Sequence, residues 1–288
     1  MQNIDAFRQI ATEATRGELN FPTNVNTSLQ IQSALDDPDC HLDRAVKLVS
    51  AEPLIAARMV AIANSAAYNP GGQEITNVNA AVARLGFRPL RSLVAAQIMR
   101  QFASMLTDPG LRIKAALLWE HSAQTAAIAH VLARRITGED PETAFFSGIV
   151  HDVGGFYLLS RASEFPGLLD GGGEDWREYG ERTIGRAVMR KLAVPEVVLH
   201  AMEDVWFGTL VLPLVPKQHS STSQIGNTLL LAKRLAPTPS PFDIHAAAAA
   251  TDNLHATIDF ECGNGTLQSV LQESAEDVQS LTAALLIS

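Results

Sequence analysis

Residues 143–157 read TAFFSGIVHDVGGFY. The stretch is apolar apart from the adjacent pair His151-Asp152, which Gly154 and Gly155 closely follow. An imidazole and a carboxylate side by side can both face one divalent cation, and both are ordinary ligands for zinc, iron or manganese. The glycines let the chain turn sharply beside the pair. An isolated His-Asp dipeptide is also common by coincidence, so the metal reading needs further ligands from other helices of one bundle. His121, His130, His200, Asp204 and His219 are the candidates. His121 falls on a long helix joined by a short turn to the helix of the pair, so the two must pack side by side. A His121/His151/Asp152 cluster is therefore sterically sensible, while a half-buried histidine bonded to a neighbour is the plainer reading of His121. His130 lies about 180° round the same helix from His121, at ~100° per residue, and cannot share its face.

Outward from this stretch the pattern is helical. Residues 4–16 and His41–Ser50 read as short helices, whereas Phe21–Leu35 is less regular. Pro53 opens a helix with Ile55, Met59, Ile62 and Ala63 on one apolar face. Another helix runs from Asn77 to Leu85 and stops at Gly86. Pro89 opens the next, striped with Leu90, Leu93, Val94, Ile98 and Phe102. After the break Asp108-Pro109-Gly110, a long helix covers 111–136, and Asp140-Pro141 supplies N-cap and N1 of the next. Gly171-Gly172-Gly173 reads as a loop, and helices are expected over 175–191, 195–206 and 224–235. The stretch 208–223 reads as an irregular connection, and the breaker cluster PTPSP occupies 237–241. Ile244–Ala250 is expected to be helical and 262–265 a turn. Ser274-Ala275-Glu276-Asp277 looks like a capping box before a docked final helix carrying Val278, Leu281, Thr282 and Leu285. No βαβ unit and no alternating strand series is visible, so the expected fold is all-α, with a compact helical half over about residues 20–108.

Composition narrows the function. With 47% hydrophobic and 18% charged residues among 288, the chain can bury a sizeable core. A net charge of −9 and no basic run argue against a phosphate-driven nucleic-acid binder. Cys40 and Cys262 form no CxxC, which suits a reducing cytoplasm. No apolar run approaches the ~18 residues of a membrane span, and MQNIDAFRQIATEATRGE lacks a signal core, so a cytoplasmic protein is expected. Phosphate-loop, dinucleotide and nucleophile-elbow motifs are absent; Ser147-Gly148 lacks the strand-turn setting and Cys40-His41 is a bland pair. Trp176, Trp206 and Phe207 are expected to pack in the core.

The motifs, taken together, resemble a known family. Residues 48–93 contain the acidic-Pro helix start, NSAAY at 64–68 and the AxxxLG-like AVARLG at 81–86. Trp119-Glu120-His121-Ser122, FSGIVHDVG at 146–154 and EYGERTIGRAVMRKLAVPEVV at 178–198 follow in order. This series resembles the HDOD domain over about residues 20–240, a relative of HD-type metal phosphohydrolases and of the HD-GYP enzymes that degrade cyclic di-GMP. The resemblance implies an HD-like half over 109–240, making 1–240 one HDOD domain, with 241–288 a helical extension. It also implies where metal ligands of the enzymes would fall: His121, His151 and Asp152 are kept. The next histidine position is Glu181, paired histidine positions fall near Val205-Trp206, and the late aspartate position is Lys233. A lysine there would repel a divalent ion or pair with Asp152 in its place. The expected function is therefore a non-catalytic output module of bacterial signal transduction without a cofactor or bound metal. Its partners would be regulators, cyclic-nucleotide pathway proteins or a small ligand, and neither nucleic acid nor membrane. The alternative is a metal-dependent phosphohydrolase.

Overall fold

Prolines and short polar caps set the helix starts. The computed structural model describes residues 3–22, 24–169, 175–207, 223–242 and 267–287. Helices α1 (Asn3–Thr15), α2 (Val25–Asp36), α3 (Leu42–Ser50), α4 (Pro53–Ala63), α5 (Val78–Leu85) and α6 (Phe87–Ser104) make up the first half of the sequence, α1 packing back on the later π-helix. Then come α7 (Pro109–Leu132) with a π turn at Ala133–Thr137, α8 (Pro141–Val150) and α9 (Val153–Arg161). A π-helix over Trp176–Gly185 leads into α10 (Arg186–Lys191), α11 (Glu196–Phe207) and α12 (Ile225–Leu235), and the chain closes with α13 (Leu267–Glu273) and α14 (Ala275–Leu286). No strand occurs among the described residues, as the missing period-2 pattern implied. Asp108 and Asp140 accept from the N–H groups of Leu111 and Thr143, and a proline follows each at N1. Gly86 takes φ 77°, ending α5 and admitting α6 at once.

One expectation fails in the first half. The stretch read as irregular contains a regular helix, α2. Its buried positions are Val25, Ser28, Ile31, Gln32 and Leu35, so two of the five are polar and hide the apolar stripe. Gln32 is held by a short hydrogen bond to the carbonyl of Leu192, which satisfies its amide N–H on burial.

The NSAAY segment ties the halves together. Asn64 accepts from Ile75 N–H at 2.7 Å and donates to Ile75 O at 2.6 Å, pinning the loop after α4. Tyr68 donates to Glu142 on α8, and His130 stands 3.8 Å from the same carboxylate with its ring against Tyr68. His130 therefore faces away from the His-Asp pair, as its helical angle required.

In the second half, α7 packs along α8 and also receives α12 and α14. The α7/α8 seam is closed by Gly148, where an added Cβ would collide with the backbone of Ala126. Gly154 does the same between α9 and the π-helix, where a Cβ would strike the carbonyl of Gly180. The final helix docks on α7 and α4, as its apolar repeat implied, but the capping box does not form. Ser274 makes no side-chain cap, because its N–H already donates to Val270 O and α13 runs on into α14 without a free terminus. Gly171–Gly173, 208–222, Ile244–Ala250 and 262–265 lie outside the described residues.

Gly154→Ala should destabilise the fold by about 1–3 kcal/mol, the scale for overpacking a close-packed contact. Urea denaturation followed by circular dichroism measures it; Gly71→Ala, in open space, serves as the neutral control.

Candidate functional site

The His-Asp pair lies where α8 ends and α9 begins, with Asp152 at the N-cap of α9. His121 reaches the pair from the middle of α7, the arrangement that the short connection made sterically sensible. His121, His151 and Asp152 are all buried, and one ligand atom from each lies within 4.8 Å of the others. His151 Nε2 is 3.3 Å from Asp152 Oδ2, and His121 Nε2 is 3.8 Å from the same oxygen. The two rings meet edge to face at 5.2 Å.

The opposite edges of both rings are anchored. His121 Nδ1 donates to the carbonyl of Thr238 at 2.7 Å, and His151 Nδ1 to that of Gly148 at 2.8 Å. A neutral ring with Nδ1 protonated presents its lone pair at Nε2. Burial pushes His121 down to about 4, Asp152 opposing the shift, so its ring is neutral near pH 7. Its Nε2 then offers a lone pair towards a carboxylate, an arrangement that needs a positive charge nearby.

Lys233 supplies that charge from α12. Its Nζ stands 3.7 Å from Asp152 Oδ1 and 3.5 Å from Glu181 Oε1 on the π-helix. Burial by itself would raise the Asp152 carboxyl. His151, Lys233 and His121 act against it and hold the group well below the usual carboxylate range.

Two contributors were missed by the sequence reading. Ser240 donates to Asp152 Oδ2 at 3.1 Å, and Thr238 holds His121. Both belong to PTPSP, which reads locally as a helix breaker and nothing more. In the fold this segment lies over the site, and Phe242 after it stacks on Trp176 with ring centroids 4.5 Å apart. Only the position of the cluster beneath it gives the serine a role. Of the other candidates, His130 binds elsewhere, His200 is exposed, and Asp204 packs against Gly226. Val205 and Trp206 are core residues, with Arg186 over the Trp206 ring. His219 lies outside the described residues.

As a cation site the arrangement is complete on three sides only. Two imidazole nitrogens and a carboxylate oxygen converge as a divalent ion requires. The Lys233 ammonium stands 3.7 Å from the other oxygen of the same carboxylate, and like charges roughly 4 Å apart repel by several kcal/mol even at a screened interior dielectric. The three donors thus suit a divalent ion, and the ammonium beside them opposes its charge.

Comparison with known proteins follows the same lines. The HDOD domain model matches residues 21–170. An uncharacterised protein of Treponema pallidum (strain Nichols) is 24% identical over 199 residues, covering 64% of this chain and 37% of that protein. The chain thus spans little more than a third of the length of that relative. A protein of Shewanella amazonensis, described as a proposed metal-dependent phosphohydrolase, superposes with a TM-score of 0.72 at 20% identity, covering 99% of this chain and all of the other. An HDOD domain protein of unknown function from Geobacter sulfurreducens gives 0.60 at 20% identity, covering 98% of each chain. At these identities the likeness is one of fold, and it is all-helical throughout.

Two outcomes are expected. Asp152→Ala should cost about 3–5 kcal/mol, the scale for removing one partner of a buried charge cluster, as measured by urea unfolding at pH 7. Stability should also fall as pH drops from 6.5 towards 4. His121 takes up a proton near 6.5 when unfolded and resists until about 4 when folded, so the unfolded state binds more protons across that window. Asp152, depressed in the fold, adds to the loss below its unfolded value. His121→Gln should flatten the upper part of this curve.

Proposed function

This chain belongs to the HDOD family, and from that premise we propose that it is a non-catalytic output module of bacterial signal transduction. It works by binding regulatory proteins or a small ligand in the cytoplasm. Residues 1–240 form the HDOD unit in this reading, and 241–288 extend it.

The observation that carries the proposal is the lysine. An HD-type hydrolase uses a metal to activate water for attack on phosphorus. Lys233 brings a positive charge to Asp152 and Glu181, at 3.7 and 3.5 Å. An ammonium has only donors and no open coordination position, so it neutralises the carboxylates without binding water as a Lewis acid does. The cluster then holds α7, α8, α12 and the π-helix together, which is a structural task. No described helix is long and apolar enough to cross a membrane.

A second reading has one observation in its favour. Both histidines turn Nε2 inward with Nδ1 tied back to a carbonyl, the orientation of metal-binding imidazoles. That reading makes the chain a metal-dependent phosphohydrolase.

Elemental analysis after loading with iron, manganese or zinc separates the two. The wild type should hold far less than about one ion per chain and should not hydrolyse bis(p-nitrophenyl) phosphate above buffer. Lys233→Asp, which returns a carboxylate to that position, should raise metal occupancy. A wild type with about one ion per chain, lost in His151→Ala, together with turnover, would establish the hydrolase instead.

A further inference from the structure

Outside the histidine cluster, two arginines converge on a neutral group. Arg58 on α4 is fully buried, and its Nε and Nη2 donate to the carbonyl of Ile287 at 3.2 and 2.8 Å. Its Nη1 donates to Gln97 Oε1 at 2.8 Å. Arg100 on α6 sends Nη1 to the same Ile287 carbonyl at 2.8 Å. Neither arginine has an acidic partner within 4.0 Å among the described residues. Buried charges are ordinarily paired, and a carbonyl offers only a partial negative charge. Burial and the neighbouring Arg100 push Arg58 down to about 10, which is the electrostatic signature of this crowding.

A cavity of about 670 Å³ opens beside the pair, between α6, α7 and the end of α14. Arg100 and Arg112 line it, together with Gln97, Trp119, Phe156 and Leu286. Arg112 is exposed, and its side chain makes no hydrogen bond or ion pair among the described residues. The guanidinium of Arg100 lies 6.0 Å from the centre of the Trp119 ring. One carboxylate, Glu120, also lines the cavity; it accepts from Gln124 and pairs with no arginine. Positive charge therefore exceeds negative in and behind the cavity, on a protein whose net charge is −9. The volume falls in the range of small-molecule sites, which combine apolar walls with a few convergent polar groups.

We propose that this cavity binds a small organic anion, with a carboxylate or phosphate head on Arg100 and Arg112 and an apolar or aromatic body against Trp119, Phe156 and Leu286. Arginine suits this task because its planar fork matches both oxyanions, and it recognises them without a metal. Arg100 is shared with the Ile287 carbonyl, so a bound anion bears directly on the seat of α14. The site shares no residue with the histidine cluster and does not depend on how that cluster is read.

Calorimetric titration with phenyl phosphate, phenylacetate, inorganic phosphate and benzyl alcohol tests it. At least one of the two aromatic anions should bind at least tenfold more tightly than both benzyl alcohol and inorganic phosphate. Which of the two binds better identifies the head group. Arg112→Gln, at an exposed position without partners, should keep the wild-type Tm and weaken that binding at least fivefold. His151→Ala should leave it unchanged wherever that variant folds. Aromatic anions that bind no better than benzyl alcohol, or unchanged affinity in folded Arg112→Gln, overturn the proposal.

Discussion

A carboxylate taken out of water has to be answered from several directions, and Asp152 is 1% exposed. An uncompensated ion at such a site costs several kcal/mol, so the surrounding elements must deliver donors and positive charge. Lys233 on α12 supplies the charge and Ser240 in the segment after it the donor, while His151 from the same turn and His121 from α7 close in at 3.3 and 3.8 Å. Each contribution fixes the placement of its own element. The second half of the molecule is thus a bundle arranged round one charge, closed by glycines at 148 and 154 where backbones approach too nearly for any side chain.

The first half is joined to that bundle by two different kinds of contact. One is polar and local: Asn64 braces its loop on Ile75, which leaves Tyr68 placed to reach Glu142. The other is charged and long-range: Arg58 and Arg100 grip the carbonyl of Ile287 at the end of α14. The aromatic contacts of Phe21 and Phe102 with Tyr157 fill the space between α6 and α9. Charged hydrogen bonds to a neutral carbonyl leave electrostatic capacity unspent.

Much of this was legible before folding. The caps at Asp108 and Asp140, the stop at Gly86 and the apolar stripes of α4, α6 and α14 depend on neighbours within one or two turns, and local sequence carries them. The failures have the same explanation in reverse. Ser28 and Gln32 are buried in α2 because α2 packs on α6 and Gln32 finds the Leu192 carbonyl, a partner 160 positions away. Ser274 looked like a cap, but a preceding helix removed the terminus it would have capped.

The amino-acid sequence by itself determined the helical class and most helix starts, and it made a meeting of His121 with His151-Asp152 sterically sensible. The last follows from spacing, since a short turn between two helices lets them pack side by side. The family resemblance, beside it, implied that Lys233 and Glu181 depart from a metal-ligand pattern, without showing where their side chains go. Tertiary structure alone brought that ammonium within 4 Å of two carboxylates, laid PTPSP over the cluster and set Arg58 and Arg100 on one carbonyl. Those relations join residues from 52 to 229 positions apart. Coulomb energy depends on distance in space, and no local pattern along the chain encodes it.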